Sequence, residues 1–344
     1  MGAALCSTTL ACSTKREAIP ARTSQETSPI LAADAGLPPS PSPDAPSKSR
    51  VAVVHTSDRR DGVSRGIALL GLSSLESRSV FLKPNLNSSD LGPASTHEET
   101  LLAVIDALRD KNAGRMVLGD RSGMGNTREV LEARGLFKLG EKLDFQTIAF
   151  DELDASQWRH MTSPQSSWKH GVYMPTPFLD ADFKVMMCCL KTHRYGGHFT
   201  LTLKNSVGLA AKKVPGLAHD FMRELHSSPH QRTLIAELNA LFTPDLIVLD
   251  GVEAFVDGGP AQGDLARGEM MLVGTDRVAM DMLGVAMLRE LGTNDDVATG
   301  AITDLEQIAR AIELDIGTHQ ATELEILTDD APSHKLAERL LARL

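Results

Sequence analysis

The stretch Val185-Met-Met-Cys-Cys-Leu190-Lys191-Thr-His193 decides how the rest of the chain is interpreted. Its first six residues are apolar, and a short uncharged run of this kind is typical of a strand buried on both faces of a sheet. The run stops abruptly at Lys191 and His193. In an open α/β sheet, ligands bind at the carboxyl ends of the parallel strands. The stretch therefore predicts both a central strand and the place of a functional site.

Other apolar runs recur along the chain and alternate with helical patterns. Strands are predicted near 51–54, 80–82, 116–118 and 246–249, and apolar residues at helical spacing from Leu101 to Leu108 predict a helix capped by Thr96. Parallel neighbours need helical crossovers. The alternation therefore predicts an α/β fold with a mainly parallel, doubly wound (Rossmann-like) sheet and room for a smaller inserted subdomain.

The composition divides the chain and excludes one class of partner. Residues 1–50 are rich in Ser, Thr, Ala and Pro without periodicity, which predicts a disordered leader or linker. An α/β domain at 51–330 and a C-terminal helix at 331–344 would follow. The chain has a net charge of -10 and only 4% aromatic residues. It therefore lacks the basic surface and stacking side chains of nucleic-acid-binding proteins.

The cysteines and the hydropathy pattern bear on location and cofactors. The chain has 4 cysteines and no C-x-x-C pair, which favours a reducing, cytoplasmic location and offers no iron–sulfur site. Cys188 and Cys189 are expected to be inert core residues, because adjacent strand residues point to opposite faces of a sheet. No apolar run approaches the roughly 20 residues that span a bilayer. We therefore expect a soluble protein without a membrane partner.

Four predicted strands end in a charged residue that is followed directly by a loop. These residues are Lys83, Asp120, Lys191 and Asp250. A charge at the end of one strand commonly points to water. Because the carboxyl ends of parallel strands share one edge of a sheet, four such charges together predict a site at that edge.

The chemistry of these residues favours an anionic small-molecule substrate. Lysines grouped in an acidic protein attract a carboxylate or a phosphate, so Lys83, Lys191 and Lys204 would hold the anion. His193 would move a proton near neutral pH. Asp250 would orient His193 or bind a cation. The sequence thus predicts an enzyme that uses Lys/His acid–base chemistry, without identifying its substrate or reaction.

Two other functions remain open at this point. One is metal- or cofactor-dependent catalysis, of a redox or isomerase type, in which His193 and His198 bind a divalent metal together with an acidic residue: Asp250, Glu253 or Asp257. The nearby lysines oppose a cation, and the spacing fits no zinc signature. The other is a binding protein for an anionic metabolite that performs no catalysis. Gly123 and Gly125 add a candidate phosphate-binding loop.

Three motifs in this order resemble one known family. They are Phe81-Leu-Lys83-Pro-Asn85, then Leu190-Lys-Thr-His193 followed by Thr200-Leu-Thr-Leu-Lys204-Asn205-Ser206-Val207-Gly208, and then Asp250-Gly251 with Gly258-Gly259-Pro260-Ala-Gln-Gly263. Over about 51–327 the chain is similar to the Domain of Unknown Function 362 (DUF362) family. The resemblance implies a site at Lys83, Asn85, Lys191, His193, Lys204, Asn205, Asp250 and Gly259. Some relatives carry a ferredoxin-like iron–sulfur module, but its cysteines are absent here.

Overall fold

The structure is a computed structural model that describes residues 48–344. Most of the predicted leader, residues 1–50, lies outside the described residues. The division into a leader, an α/β domain and a C-terminal helix stays a prediction. Within the described range, no helix combines the length and the apolar character needed to cross a bilayer.

The strands of the described chain form one large sheet and one small one. Their bounds are β1 Ser49–His55, β2 Val80–Lys83, β3 Met116–Asp120, β4 Gln146–Ala149, β5 Trp158–Met161, β6 Val172–Pro175, β7 Phe183–His193, β8 His198–Thr200, β9 Leu246–Gly258, β10 Gly263–Gly274 and β11 Leu324–Leu327.

The helices fall between these strands and vary from four to fifteen residues in length. Their bounds are α1 Arg59–Leu70, α2 Glu98–Asp110, α3 Thr127–Ala133, α4 Leu136–Leu143, α5 Thr176–Leu179, α6 Thr202–Asn205, α7 Phe221–Ser227, α8 Gln231–Leu238, α9 Arg277–Leu291, α10 Asp295–Ala298, α11 Glu306–Glu313 and α12 Ala331–Leu341.

The large sheet has the order β11-β1-β10-β9-β7-β2-β3-β4, with β8 paired to β7. Along this path every strand runs in the same direction except β10, which is antiparallel to both β1 and β9. The predicted mainly parallel α/β fold is therefore confirmed. The β9–β10 hairpin was not predicted: β9 continues past 246–249 to Gly258, and the apolar run before Gly274 forms its partner strand.

Apolar residues cover both faces of the sheet, as expected for a doubly wound fold. On one face, Val54, Leu82 and Val248 pack with residues of α1, α2, α3 and α4. On the other face, Phe81 and Leu249 pack with α7, α8, α9, α11 and α12 and with the small β5–β6 sheet. Because β7 lies between β9 and β2, its residues Val185 to Leu190 are buried on both sides.

Two details place the predicted site residues. The pairing of β7 with β9 is irregular between Cys189 and Lys191, and such a bulge changes the direction of the side chains that follow. The short helix α6 lacks a local side-chain cap. Instead Asp281 of α9 accepts the N–H of Thr202 at 2.6 Å and that of Leu203 at 3.2 Å. A carboxylate from the core thus fixes the start of the helix that carries Lys204 and Asn205.

The predicted helix over Leu101 to Leu108 is present, but its cap differs by one residue. His97 is the N-cap of α2 and accepts the N–H of Glu99 through Nδ1. Thr96 instead accepts the N–H of Asn85 through its hydroxyl at 2.8 Å. The Thr96 side chain therefore holds the loop after β2 in place beside the predicted site.

Candidate functional site

A cavity of about 880 Å³ opens at the carboxyl edge of the large sheet. The sequence predicts eight site residues, and the structure brings six of them to this cavity: Lys83, Asn85, Lys191, His193, Lys204 and Asn205. Asp250 and Gly259 are not among the residues that line it, although Pro260 is. The ends of β2 and β7 and the helix α6 thus form one wall of the cavity.

Two asparagines join two of the lysines in a buried network. The Lys191 ammonium donates to Asn85 Oδ1 at 2.8 Å and to the carbonyl of Ala94. Asn85 Nδ2 donates to Asn205 Oδ1 at 3.2 Å, and Lys83 Nζ donates to the same oxygen at 3.1 Å. The Asn205 amide is itself held by the carbonyl of Met187. Both asparagines therefore position lysines.

Lys83 forms an ion pair with Asp120 beneath the cavity. Their side chains are 1% and 2% exposed, and Nζ lies 2.7 Å from Oδ1 of Asp120. Burial lowers the pKa of Lys83 and raises the pKa of Asp120, while the attraction between the two charges opposes both shifts. Since Lys83 already has a carboxylate partner, it is the least available of the three lysines for a substrate anion.

Lys204 differs from Lys83 because the described part of the chain offers it no partner. Its side chain is buried, and no residue in 48–344 accepts a hydrogen bond from its ammonium. Burial, together with the positive charges of Lys191 and Arg121, lowers the pKa of Lys204 to about 7. Burial also lowers the pKa of Lys191, to about 8. Two lysines with weakened proton affinity therefore face the same cavity.

His193 is held as a neutral imidazole. Burial lowers its pKa far below the usual range, and the charges of Lys204 and Lys191 act in the same direction. Nδ1 accepts the N–H of Tyr195 at 3.3 Å, which leaves the ring proton on Nε2. A base with such a low pKa is poorly matched to proton transfer near neutral pH. The proton-moving role that the sequence assigns to His193 therefore suits Lys204 better.

Asp250 lies apart from the cavity, so the structure does not place it to orient His193. It lies on the sheet face covered by α1 and α2, where Arg59 donates to Oδ2 at 2.9 Å and the Thr100 hydroxyl donates to the same oxygen at 2.6 Å. Oδ1 accepts the N–H of Val252. Both carboxylate oxygens are occupied by the protein. The geometry thus assigns Asp250 to the packing of α1 and α2 on the sheet.

The residues of the metal hypothesis do not come together either. His198 Nδ1 lies 3.2 Å from Asp296, Glu253 pairs with Arg59, and Asp257 accepts from Asn294. Among residues 48–344, no three His, Cys, Asp or Glu side chains form a group that could hold a metal ion. The proposed ligand set is therefore not assembled in this geometry.

Two glycines of the motifs leave room for other parts of the site. A Cβ on Gly208 would lie 2.3 Å from Asp120 Oδ1 and 2.8 Å from Lys83 Nζ. A Cβ on Gly259, whose φ is 65°, would lie 2.0 Å from the carbonyl oxygen of Thr192. Gly208 thus covers the buried ion pair, and Gly259 lets the β9–β10 loop approach the end of β7. Gly259 supports the site from outside the cavity.

Several cavity residues were missed by sequence reasoning. The structure adds Arg121, Lys212 and Arg223 to the lining, together with Thr200 and Asn87. Arg121 directly follows the strand end at Asp120, so the strand-end rule could have found it. The others come from irregular segments, the short strand β8 or the short helix α7, where no clear periodic signal indicates direction. The predicted phosphate loop also reaches the cavity through Gly123 and Gly125, and phosphate binding there stays a prediction.

The two neighbouring thiols match the expectation of inert core residues. Cys188 and Cys189 are both buried and free. Burial raises the pKa of the Cys189 thiol to about 11 and that of Cys188 further above its usual range. Since the thiolate is the reactive form, neither side chain is suited to act as a nucleophile near neutral pH.

Comparison with known proteins finds a family that covers the cavity residues. The sequence model of the family described as "Domain of unknown function (DUF362)" matches residues 80–286. A thylakoid-associated protein of Synechocystis sp. is 25% identical to the chain over 207 residues. That alignment covers 59% of this chain and 61% of the relative, so the chain spans less than two thirds of the length of this protein.

One solved structure with a related arrangement is the lactate racemase apoprotein from Thermoanaerobacterium thermosaccharolyticum. It shares 14% sequence identity with the chain, and the superposition covers 72% of this chain and 59% of the racemase with a TM-score of 0.41. A likeness of this size carries no argument about substrate or chemistry. The site must therefore be interpreted from its own residues.

Proposed function

The chain belongs to the DUF362 family, and we propose that it is an enzyme that binds an anionic small molecule and moves a proton at the carboxyl edge of its sheet. The anion would be a carboxylate or a phosphate. Lys191 and Lys204 would hold it, and Lys204 would also exchange the proton. A cytoplasmic location and the absence of nucleic-acid partners remain predictions from composition.

The observation that carries this proposal is the uncompensated charge of Lys204. A buried ammonium without a partner costs free energy, because desolvation is not offset by a counter-charge. Lys191 has only neutral oxygen partners, those of Asn85 and Ala94. An anion placed between the two ammonium groups would supply the missing counter-charge. The positive charge of Lys191 and Lys204, which no described carboxylate neutralises, therefore makes the cavity complementary to an anion.

The two lysines would divide the work. At pH 7 Lys191, with a pKa of about 8, is mostly protonated and attracts the anion. Lys204, with a pKa of about 7, is present in both protonation states. General acid–base catalysis is most efficient when the pKa of the catalytic group lies near the working pH. Lys204 is thus the residue best suited to take a proton from the bound molecule and to return it.

The neutral residues would orient the substrate. His193 Nε2–H is a donor that does not compete for the proton on Lys204, so it could bind a substrate oxygen that becomes negative during proton removal. Asn85 and Asn205 keep Lys191 and Lys83 in place through the network described above. The reaction would therefore need no rearrangement of the lysine framework.

Solvent isotope exchange tests this function directly. The wild-type protein would be incubated in D₂O with a panel of carboxylates and phosphate esters, and deuterium incorporation or product formation would be followed by NMR. We expect turnover of at least one compound. Lys204→Met should reduce its rate by about 10²-fold or more, the contribution typical of a general acid–base group.

Folding of the variant provides the control. Lys204→Met removes an unpaired buried charge, so its free energy of unfolding should be unchanged or higher than that of the wild type. Lys213→Met, at an exposed position outside the cavity, should keep the wild-type rate. Undiminished turnover in Lys204→Met would overturn the assignment. Tight binding without turnover of any compound would instead indicate the alternative, a metabolite-binding protein.

A further inference from the structure

A second group of cations lines the cavity on the wall formed by the end of β3 and the chain around α7. Arg121 is buried there and donates to the carbonyls of Ala210 at 2.9 Å and Val207 at 2.7 Å. Lys212 and Arg223 belong to the same wall, because the N–H of Phe221 donates to the Lys212 carbonyl at 3.0 Å. These three cations, Arg121, Lys212 and Arg223, are called the outer group below.

The outer group is short of negative charge. Among residues 48–344, neither Lys212 nor Arg223 forms an ion pair, whereas other arginines, such as Arg65 and Arg128, are bound by carboxylates. Two carboxylates of this wall line the cavity: Asp120, which already pairs with Lys83, and Asp220, which accepts the backbone N–H of Arg223 at 2.9 Å. The outer group therefore has an excess of positive charge beside the cavity, in a chain whose net charge is -10.

Two buried polar atoms without partners belong to different segments of this lining. Thr200 Oγ1 is unpaired in the described chain and belongs to the segment with Lys191, since Thr200 is the register partner of Lys191 between β8 and β7. Asn87 Nδ2 is also unpaired. Asn87 lies beside the loop after Arg121, where its carbonyl accepts the Ser122 hydroxyl at 2.9 Å. An unused hydrogen-bonding atom therefore lies beside Lys191 and another lies beside the loop that follows Arg121.

The size of the cavity exceeds what a single small anion needs. A volume of about 880 Å³ corresponds to the liquid volume of roughly 30 water molecules. Val207 and Met222 line the cavity and contact Arg121 in the outer group. A lining that combines apolar surface with two groups of cations suits a ligand with a carbon body and charged groups.

We propose that the ligand carries two separated anionic groups. This inference rests on the proposed function, in which the first group binds between Lys191 and Lys204. The second group binds at the outer group, with Asn87 Nδ2 as a further donor. The substrate class is thus a small molecule with two carboxylate or phosphate ends joined by a short carbon body.

A series of probes with one or two charged ends tests the inference. Linear dicarboxylates from succinate to suberate would be compared by calorimetry at pH 7 with monocarboxylates of the same carbon number. At the best length, we expect the dicarboxylate to bind roughly tenfold more tightly or better, the gain from one further charge-assisted contact. Bisphosphonates of the same spacing extend the series to phosphate-like ends.

Variants of the outer group assign that gain to named residues. The double variant Lys212→Gln/Arg223→Gln should abolish the advantage of the dicarboxylate and leave monocarboxylate affinity unchanged. Both positions are exposed, so folding should not be affected. Lys213→Gln is the matched control: Lys213 is exposed and adjacent to Lys212 but does not line the cavity, so the advantage should be kept.

The outcomes separate this inference from the proposed function. If monocarboxylates bind in a manner that Lys204→Met abolishes, but no two-ended probe binds more tightly, the two-ended ligand is wrong and the anion site stands. A gain that persists in the double variant would also contradict it. If no probe of either series shows binding that depends on Lys204, both proposals fail together.

Discussion

Two buried groups of charges lie at the same edge of the sheet and differ in one respect. In the first group, Arg59 and Thr100 hold the Asp250 carboxylate at 2.9 and 2.6 Å. In the second, Lys191 and Lys204 face a cavity, and no described carboxylate pairs with either of them. The first group is electrostatically closed, while the second lacks a counter-charge.

The comparison separates a structural role from a binding role. A buried charge that is fully paired within the protein contributes to packing, and it has no unused interaction with which to bind a ligand. A buried charge that stays unpaired costs stability, and such a cost is typical of functional sites. Lys83 is intermediate, because it lines the cavity but already pairs with Asp120 at 2.7 Å. We therefore expect variants in the two groups to fail in different ways.

The largest effect is expected in the closed group, which consists of Asp250, Arg59 and Thr100. Breaking this group should lower the free energy of unfolding. Asp250→Asn would leave the buried Arg59 guanidinium with the partly exposed Glu253 carboxylate as its remaining charged partner. Removing one partner of a buried ion pair typically costs about 3–5 kcal/mol. The free energy of unfolding, measured by urea denaturation, should fall by this amount. The affinity for anions should remain that of the wild type.

The matched control uses the second carboxylate on the same arginine. Glu253 lies 3.0 Å from Arg59, but its side chain is 34% exposed, so Glu253→Gln should cost about 1 kcal/mol or less. A similar loss in both variants would show that burial does not distinguish these pairs. A clear loss of anion binding in Asp250→Asn, with little change in stability, would contradict the structural role of Asp250 and support a role in the binding site.

The fold class could be predicted from local patterns, and the β9–β10 hairpin shows their limit. Buried strands give continuous apolar runs, and helices give a repeat of about 3.6 residues, so β2, β3, β7 and α2 were recognisable. The hairpin of β9 and β10 was missed because β9 continues, past its apolar run, through a mixed polar segment up to Gly258. The run Met270-Met-Leu-Val273 was a usable signal. It identifies a strand but does not reveal that its direction opposes that of its neighbours.

The site was predictable only where geometry follows from the strand direction. Lys83 and Lys191 could be placed together because the carboxyl ends of parallel strands share an edge. The same rule included Asp250, whose partner Arg59 lies 191 residues away in the chain. No local pattern shows such a partner. Lys212, in an irregular segment, and Arg223, in the short helix α7, were missed because tertiary packing sets where these segments lie.

The second group, Lys191 and Lys204, is called the open group here. Its stability contribution and its anion affinity should respond to pH in opposite directions. Unfolded lysines titrate near pH 10.4, whereas Lys204 and Lys191 titrate at about 7 and about 8 in the folded chain. Above pH 7 the unfolded chain therefore holds more protons, and the stability rises with pH by up to about 1.4 kcal/mol per unit for each lysine. Anion affinity should fall over the same range, because the protonated lysines bind the anion.

Comparison with Lys204→Met isolates the contribution of one lysine. Between pH 6.5 and 8.5, the wild-type free energy of unfolding should rise more steeply than that of the variant. Calorimetry in buffers of different ionisation enthalpy should show proton uptake on anion binding near pH 8. Equal slopes for both proteins, or anion affinity that increases with pH, would contradict the assigned protonation of Lys204.

The smallest effect concerns the packing that confines Lys204. A Cβ on Gly197 would lie 2.4 Å from Lys204 Cε and 2.9 Å from Cδ, so Gly197→Ala must displace this side chain. Overpacking of this kind costs about 1 kcal/mol where a flexible chain can move away. The free energy of unfolding should fall by that amount, and anion affinity by a few-fold. In a Lys204→Ala background the clash is absent, so a cost that persists there would show that Gly197 acts on the backbone and not on the open group.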